Sequence, residues 1–180
     1  MKKPLLFVVT VLLALANCGK IEEGSAPSES HKNFPEQESW DSEIVLSESG
    51  RTTAIVKAKH LKRFQQTVEI DGGLRVDFFN QDGSHSSVLT AEKGIIDRRT
   101  DDLKAMGNVV LVSDEGSQLR TEQLRWDNRR GKVLAEGEVT ISTEQITETG
   151  TGFEAYPDLK RWSMKQVTGR SKERLKTPGE

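Results

Sequence analysis

Cysteine, tyrosine and histidine are scarce in this sequence, with one, one and three in 180 residues. A lone cysteine leaves no internal disulfide, so the fold must rest on packing and backbone pairing. His31, His60 and His85 stand apart from one another and from the cysteine, so no zinc-ligand spacing appears and all three read as solvated surface. A dominant charge is missing too. The formal net charge is −2 and the basic residues are scattered, which excludes the strongly basic face of a nucleic-acid binder. No nucleophile stands with a general base, and Gly150-Thr151-Gly152 lacks the following helix that a phosphate-binding loop needs. Asp97 and Asp127 fall at turn positions, where aspartate bonds its own backbone, and read as structural rather than as acid and base. The sequence therefore carries no expectation of enzymatic activity, a metal or a cofactor.

Only one long apolar run is present, Leu5 to Ala16, behind Lys2 and Lys3. As a helix it would reach about 18 Å against a hydrocarbon core of roughly 30 Å, so it is short for a membrane span and has the layout of a secretory signal. The cysteine follows at once. Leu15-Ala16-Asn17-Cys18 resembles a bacterial lipoprotein box, in which the cysteine is acylated and becomes the mature N-terminus, although Asn17 departs from the small residue usual at its place. Residues 1–17 are thus assigned to a lipoprotein signal peptide and Cys18 to lipid attachment. Residues 18–40 are rich in Ser, Glu, Pro and Gly, cannot bury enough apolar surface to offset the entropy of ordering, and read as a flexible tether. About 160 residues would remain after cleavage, enough for one domain with its own core.

Within residues 41–170 the apolar period is two, as in Leu74-Arg75-Val76-Asp77-Phe78, Val109-Val110-Leu111 and Val139-Thr140-Ile141, so alternate side chains share a face of a strand. Turn signals recur at Glu48-Ser49-Gly50, Asp71-Gly72-Gly73, Asp82-Gly83, Asp114-Glu115-Gly116 and Arg130-Gly131, as at the corners of a meander. No amphipathic helix is evident, and the charged residues 171–180 are expected to fray. The strands repeat: Leu89 to Asp114 lies over Leu119 to Glu144 without a gap, matching Leu89 with Leu119, Glu92 with Glu122, Asp97 with Asp127, Arg99 with Arg129, Ala105 with Ala135, Gly107 with Gly137 and Val109 with Val139. A weaker copy places Asp158 and Gly169 at the aspartate and glycine positions. Each unit of about thirty residues reads as strand, Asp-containing turn, strand, a glycine that bends the backbone, and strand, and it needs its neighbours to bury its apolar face.

Ala58 to Phe64 (AKHLKRF), the TAEKGIID segment from Thr90, the segment LRTEQLRWDNRRGKVLAEGEVTI and the glycine-rich TETGTGFEAYPD follow in an order that resembles the LptC family of periplasmic lipopolysaccharide export proteins. The resemblance implies an all-β, antiparallel, half-open β-jellyroll that shields lipopolysaccharide acyl chains. It implies a non-enzymatic transfer component that accepts lipid from the inner-membrane ABC transporter and passes it to a periplasmic bridge protein of the LptA type by edge-to-edge strand pairing. The incoming end would lie near Ile44 to Val56 and the outgoing edge around Trp162 to Gly169. With Cys18 as anchor, the protein would be periplasmic and membrane-bound, at the inner membrane in the first instance, with the outer membrane left open. The lipid-binding interior would comprise Leu74, Val76, Phe78, Leu89, Val109, Leu111, Leu119, Val139 and Ile141, each of which an ordinary dry core explains equally well. Trp126 and Trp162 read as core or rim packing. Two further readings stay open on the residues alone: a structural or adhesive surface lipoprotein, and a carbohydrate-active enzyme on a β-sandwich.

Overall fold

The computed structural model describes residues 34–171, and these contain no helix. Eleven strands form: β1 (Gln37–Glu48), β2 (Arg51–Arg63), β3 (Thr67–Phe79), β4 (His85–Ala91), β5 (Lys93–Asp97), β6 (Leu103–Ser113), β7 (Gln118–Asp127), β8 (Lys132–Ala135), β9 (Val139–Ser142), β10 (Ile146–Ala155) and β11 (Trp162–Ser171). All ladders are antiparallel. Since β4 and β5 both lie between β3 and β6, and β8 and β9 both lie between β7 and β10, the eleven strands fill nine consecutive positions of one sheet.

A seam crosses the whole sheet. It passes through Asp41 in β1, Gly72 and Gly73 in β3, Gly107 and Asn108 in β6, Gly152 in β10 and Gln166 in β11, all with positive φ. On the intervening positions it falls at the β2 irregularity between Ala58 and His60, at Glu92 between β4 and β5, and at the gap between β8 and β9. Such bulges bend strands, and aligned across a sheet they let it fold over on itself. The fold can be measured on one hairpin. The seven steps from Glu148 to Ala155 would span about 23 Å in a straight strand. Yet Trp162, which pairs with Ala155, donates its indole Nε1–H to Glu148 Oε2 at 3.2 Å. The half-sheet that carries β4 and β9 therefore lies over the half-sheet that carries β5 and β8. Phe78 of the first meets Trp126 of the second with ring centroids 4.8 Å apart.

Burial follows the period of two. The inward residues of both half-sheets form one core that includes Val56, Val76, Leu89, Leu111, Leu119 and Ile141 from one side and Leu61, Ile70, Ile96, Leu103, Trp126 and Phe153 from the other. At one corner buried Asn128 ties the layers: its Oδ1 accepts from Thr53 Oγ1 at 2.6 Å and from Trp126 Nε1 at 3.3 Å, and its Nδ2 donates to the Ser47 carbonyl at 3.0 Å. Among the described residues β1 pairs only with β2 and β11 only with β10, so the jellyroll keeps two free margins.

The repeat has a structural basis. Glu92 and Glu122 both fall where their strands cross the seam, as do Gly107 and Gly137, and Asp97 and Asp127 hold turns by accepting from the backbone N–H of Arg99 and Arg130 at 2.8 and 2.9 Å. Four expectations need correction. Asp71-Gly72-Gly73 is a bulge inside β3 and not a corner, because paired glycines serve a bend within a strand as readily as a turn. Gly169 sits within β11 opposite Glu148, and the seam position of that strand is Gln166. The ladder begins at Gln37, inside the expected tether, and includes Ser171 at the far end; the first residues of β1 are held by backbone pairing to β2 and little apolar burial marks them. His60 is half-buried rather than solvated: Trp40 stacks on its ring, and register sets it opposite Asp71, whose Oδ1 lies 2.8 Å from Nδ1.

Candidate functional site

The interior is built on one row of directly paired residues running from margin to margin: Ile44, Val56, Val76, Leu89, Leu111, Leu119, Ile141, Glu148 and Gly169. Directly paired residues point to the same face, so every side chain in this row is directed inward. Five of the nine sequence candidates lie in it. Phe78 sits one step toward the sheet end, and Leu74, Val109 and Val139 sit one step toward the seam, with Val109 and Val139 both paired to Thr121. All nine are buried, at 5% exposure or less, and all come from the half-sheet that carries β4 and β9.

The opposite lining was missed. Leu61, Val68, Ile70, Ile96, Leu103, Leu124, Val133 and Phe153 face the nine across the sandwich and are equally buried. Three of them stand two places before a buried alanine, in Leu103-Lys104-Ala105, Val133-Leu134-Ala135 and Phe153-Glu154-Ala155, but Val56-Lys57-Ala58 and Leu89-Thr90-Ala91 of the other half-sheet share that pattern, so it marks inward faces without telling the layers apart. Trp126 belongs to this lining, and Trp162 stands at its β11 margin as a half-buried neighbour of the core together with Met164, while Ile44 has the same place at the β1 margin. Cys18 and His31 lie outside the described residues.

Glu148 is the one ionisable side chain of the inward row, and Asp77 lies on the outer face of β3 beside inward Val76. Burial pushes Asp77 up, but the hydrogen bond and charge of Arg75 and the charge of Lys57 outweigh it and hold the carboxyl below the usual range. The His60 hydrogen bond does the same for Asp71. Two surface cavities, about 930 and 540 Å³, flank the seam; of the nine candidates only Val109 borders the first and only Leu74 the second. Charged side chains, among them Lys104, Arg120, Glu122 and Glu136, line the larger one, so it does not suit acyl chains. Among the described residues no group of His, Cys, Asp and Glu side chains is placed to hold a metal ion, and no helix is long and apolar enough to cross a membrane.

A folded antiparallel sheet with an inward row that is apolar from Ile44 to Ile141 defines a β-jellyroll. The family model described as lipopolysaccharide-assembly, LptC-related, matches residues 5–172, and the chain belongs to the LptC family. Comparison with curated proteins gives no match. Family membership places the protein in the periplasm of the cell envelope, with a role in lipopolysaccharide transport and its transport complex, in a family of transport and binding proteins.

Proposed function

We propose that the protein carries lipopolysaccharide with its acyl chains between the two half-sheets, taking it from the inner-membrane ABC transporter and handing it to a periplasmic bridge jellyroll. The observation that carries this reading is the inward row, apolar from Ile44 to Ile141 and ending at two free strand margins. Moving a multi-chain lipid through water exposes its methylenes at about 0.8 kcal/mol each, so a carrier needs an apolar surface that spans the chains. A strand margin presents unmet backbone N–H and C=O groups, and a second jellyroll satisfies them by extending the sheet. On this reading the β1 margin near Ile44 to Val56 faces the transporter, the β11 margin from Trp162 to Gly169 faces the bridge, and acylated Cys18 holds the assembly at the inner membrane.

The dense packing of the nine interior side chains is also what a structural lipoprotein would have. The two readings separate on cargo: lipopolysaccharide should co-purify with the full chain extracted from cells in mild detergent, and a lipid-free chain would favour the structural reading. Metabolic labelling with palmitate, present in the wild type and lost in Cys18→Ser, checks the anchor, and unchanged labelling would remove it.

A further inference from the structure

The interior has no room for a chain while it stays closed, because both linings are buried against each other. Cargo requires the layers to part, and they are not held alike at their edges. At the Asn128 corner two side-chain hydrogen bonds cross between the layers, from Thr53 Oγ1 and to the Ser47 carbonyl, and a third fixes Asn128 to buried Trp126 of its own layer. At the β11 margin one hydrogen bond joins the layers, from Trp162 Nε1 to Glu148 Oε2 at 3.2 Å, beside an exposed ion pair of Lys160 Nζ with Glu115 Oε1 at 2.9 Å that solvent screens. Glu148 is the last side chain of the inward row and its sole carboxylate, since the next position is Gly169. Gly169 makes the bond reachable: a Cβ there would stand 3.2 Å from Glu148 Cγ, so the glutamate stem lies across the glycine toward the indole.

The strand that carries the indole is also the least secured. The β10–β11 ladder loses register twice, between Thr149 and Thr151 and between Thr151 and Glu154, and Leu159 and Gln166 hold positive φ without being glycine. Broken ladders and exposed edge strands are where local opening costs least. Behind the bond Met164 packs on Gly150, where a Cβ would come within 2.8 Å of its Cγ, so releasing Trp162 exposes a flexible thioether and the apolar row behind it.

We propose that Trp162 and Glu148 form a side gate of the jellyroll, through which acyl chains enter and leave between the two half-sheets. This rests on the transport reading above. The bond can exchange because it is a single hydrogen bond at a half-buried site, where water can replace either partner. Glu148 also sets what stays outside, since a carboxylate at the mouth repels the phosphates of an anionic lipid while the chains pass.

The gate can be tied shut in the full-length chain. In a Cys18→Ser background, Glu148→Cys and Trp162→Cys provide the only two thiols, and a photo-crosslinking residue at Leu111 reports lipid in the interior. One portion is bridged with a short bis-maleimide and another capped on each thiol with N-ethylmaleimide; purified lipopolysaccharide is the probe. The expected result is capture in the capped protein at least tenfold above the bridged protein, with both showing the same cooperative unfolding. Equal capture in the two overturns the gate and leaves the transport reading standing. Absence of capture in the Leu111 reporter that keeps Glu148 and Trp162, as well as in both treated forms, overturns the transport reading and the gate with it.

Discussion

Asp101 occupies the left-handed region at φ 58°, in the turn between β5 and β6 that meets the β1–β2 turn. Burial raises its pKa, helped by the charges of Asp102, Asp97 and Glu48 and opposed by a hydrogen bond from the Ser47 backbone. A carboxyl raised in the folded state favours the protonated form there. Its charge therefore costs stability above the raised value, and the cost vanishes below the ordinary carboxylate pKa. Asn keeps the acceptor, tolerates left-handed backbone and carries no charge. Asp101→Asn should thus raise the melting temperature at pH 7 by about 1–2 °C and lose that gain at pH 3; a gain that persists at pH 3 would refute the electrostatic origin. At this scale the sequence was readable where a side chain serves its own neighbourhood, as Asp97 and Asp127 do in their turns. It was silent where the partner is distant: nothing near His60 announces Trp40 and Asp71, and nothing near Asn128 announces Thr53 and Ser47.

Among the elements, the two thirty-residue units offer an internal control. Gly107 has φ 78°, and a Cβ there would lie 2.6 Å from Glu92 Oε2, whose carboxylate is itself held by Asn108 Nδ2. Its counterpart Gly137 has no positive φ, and a Cβ added there would meet nothing within 4 Å. Gly107→Ala should cost about 1–3 kcal/mol in urea unfolding, from strained backbone and a displaced Glu92, whereas Gly137→Ala should stay within about 0.5 kcal/mol. Equal effects would mean that the seam does not depend on the Glu92 contact. The repeat itself was legible because paired residues thirty apart take equivalent places at the seam. Asp71-Gly72-Gly73 misled because a glycine pair announces a bend without saying whether a strand ends there.

Over the whole molecule, period two told which side chains share a face, and all nine interior candidates are indeed buried on one. It could not tell which half-sheet faces them. That depends on a fold along the seam, and contacts such as Phe78 with Trp126 join strands far apart in sequence. If lipopolysaccharide lies between those half-sheets, neighbours on β9 reveal it most directly. Ile141 points inward, paired with Leu119 and Glu148, while Thr140 points outward and meets the Thr149 hydroxyl at 3.1 Å. A photo-crosslinking aromatic residue placed at each in living cells controls for expression and for nearness to the membrane. Overpacking at Ile141 is expected to cost about 1–3 kcal/mol, so matching protease resistance of the two variants is established first. Lipid held between the layers predicts capture of lipopolysaccharide at Ile141 and none at Thr140; equal capture at both, or none at Ile141, would contradict it.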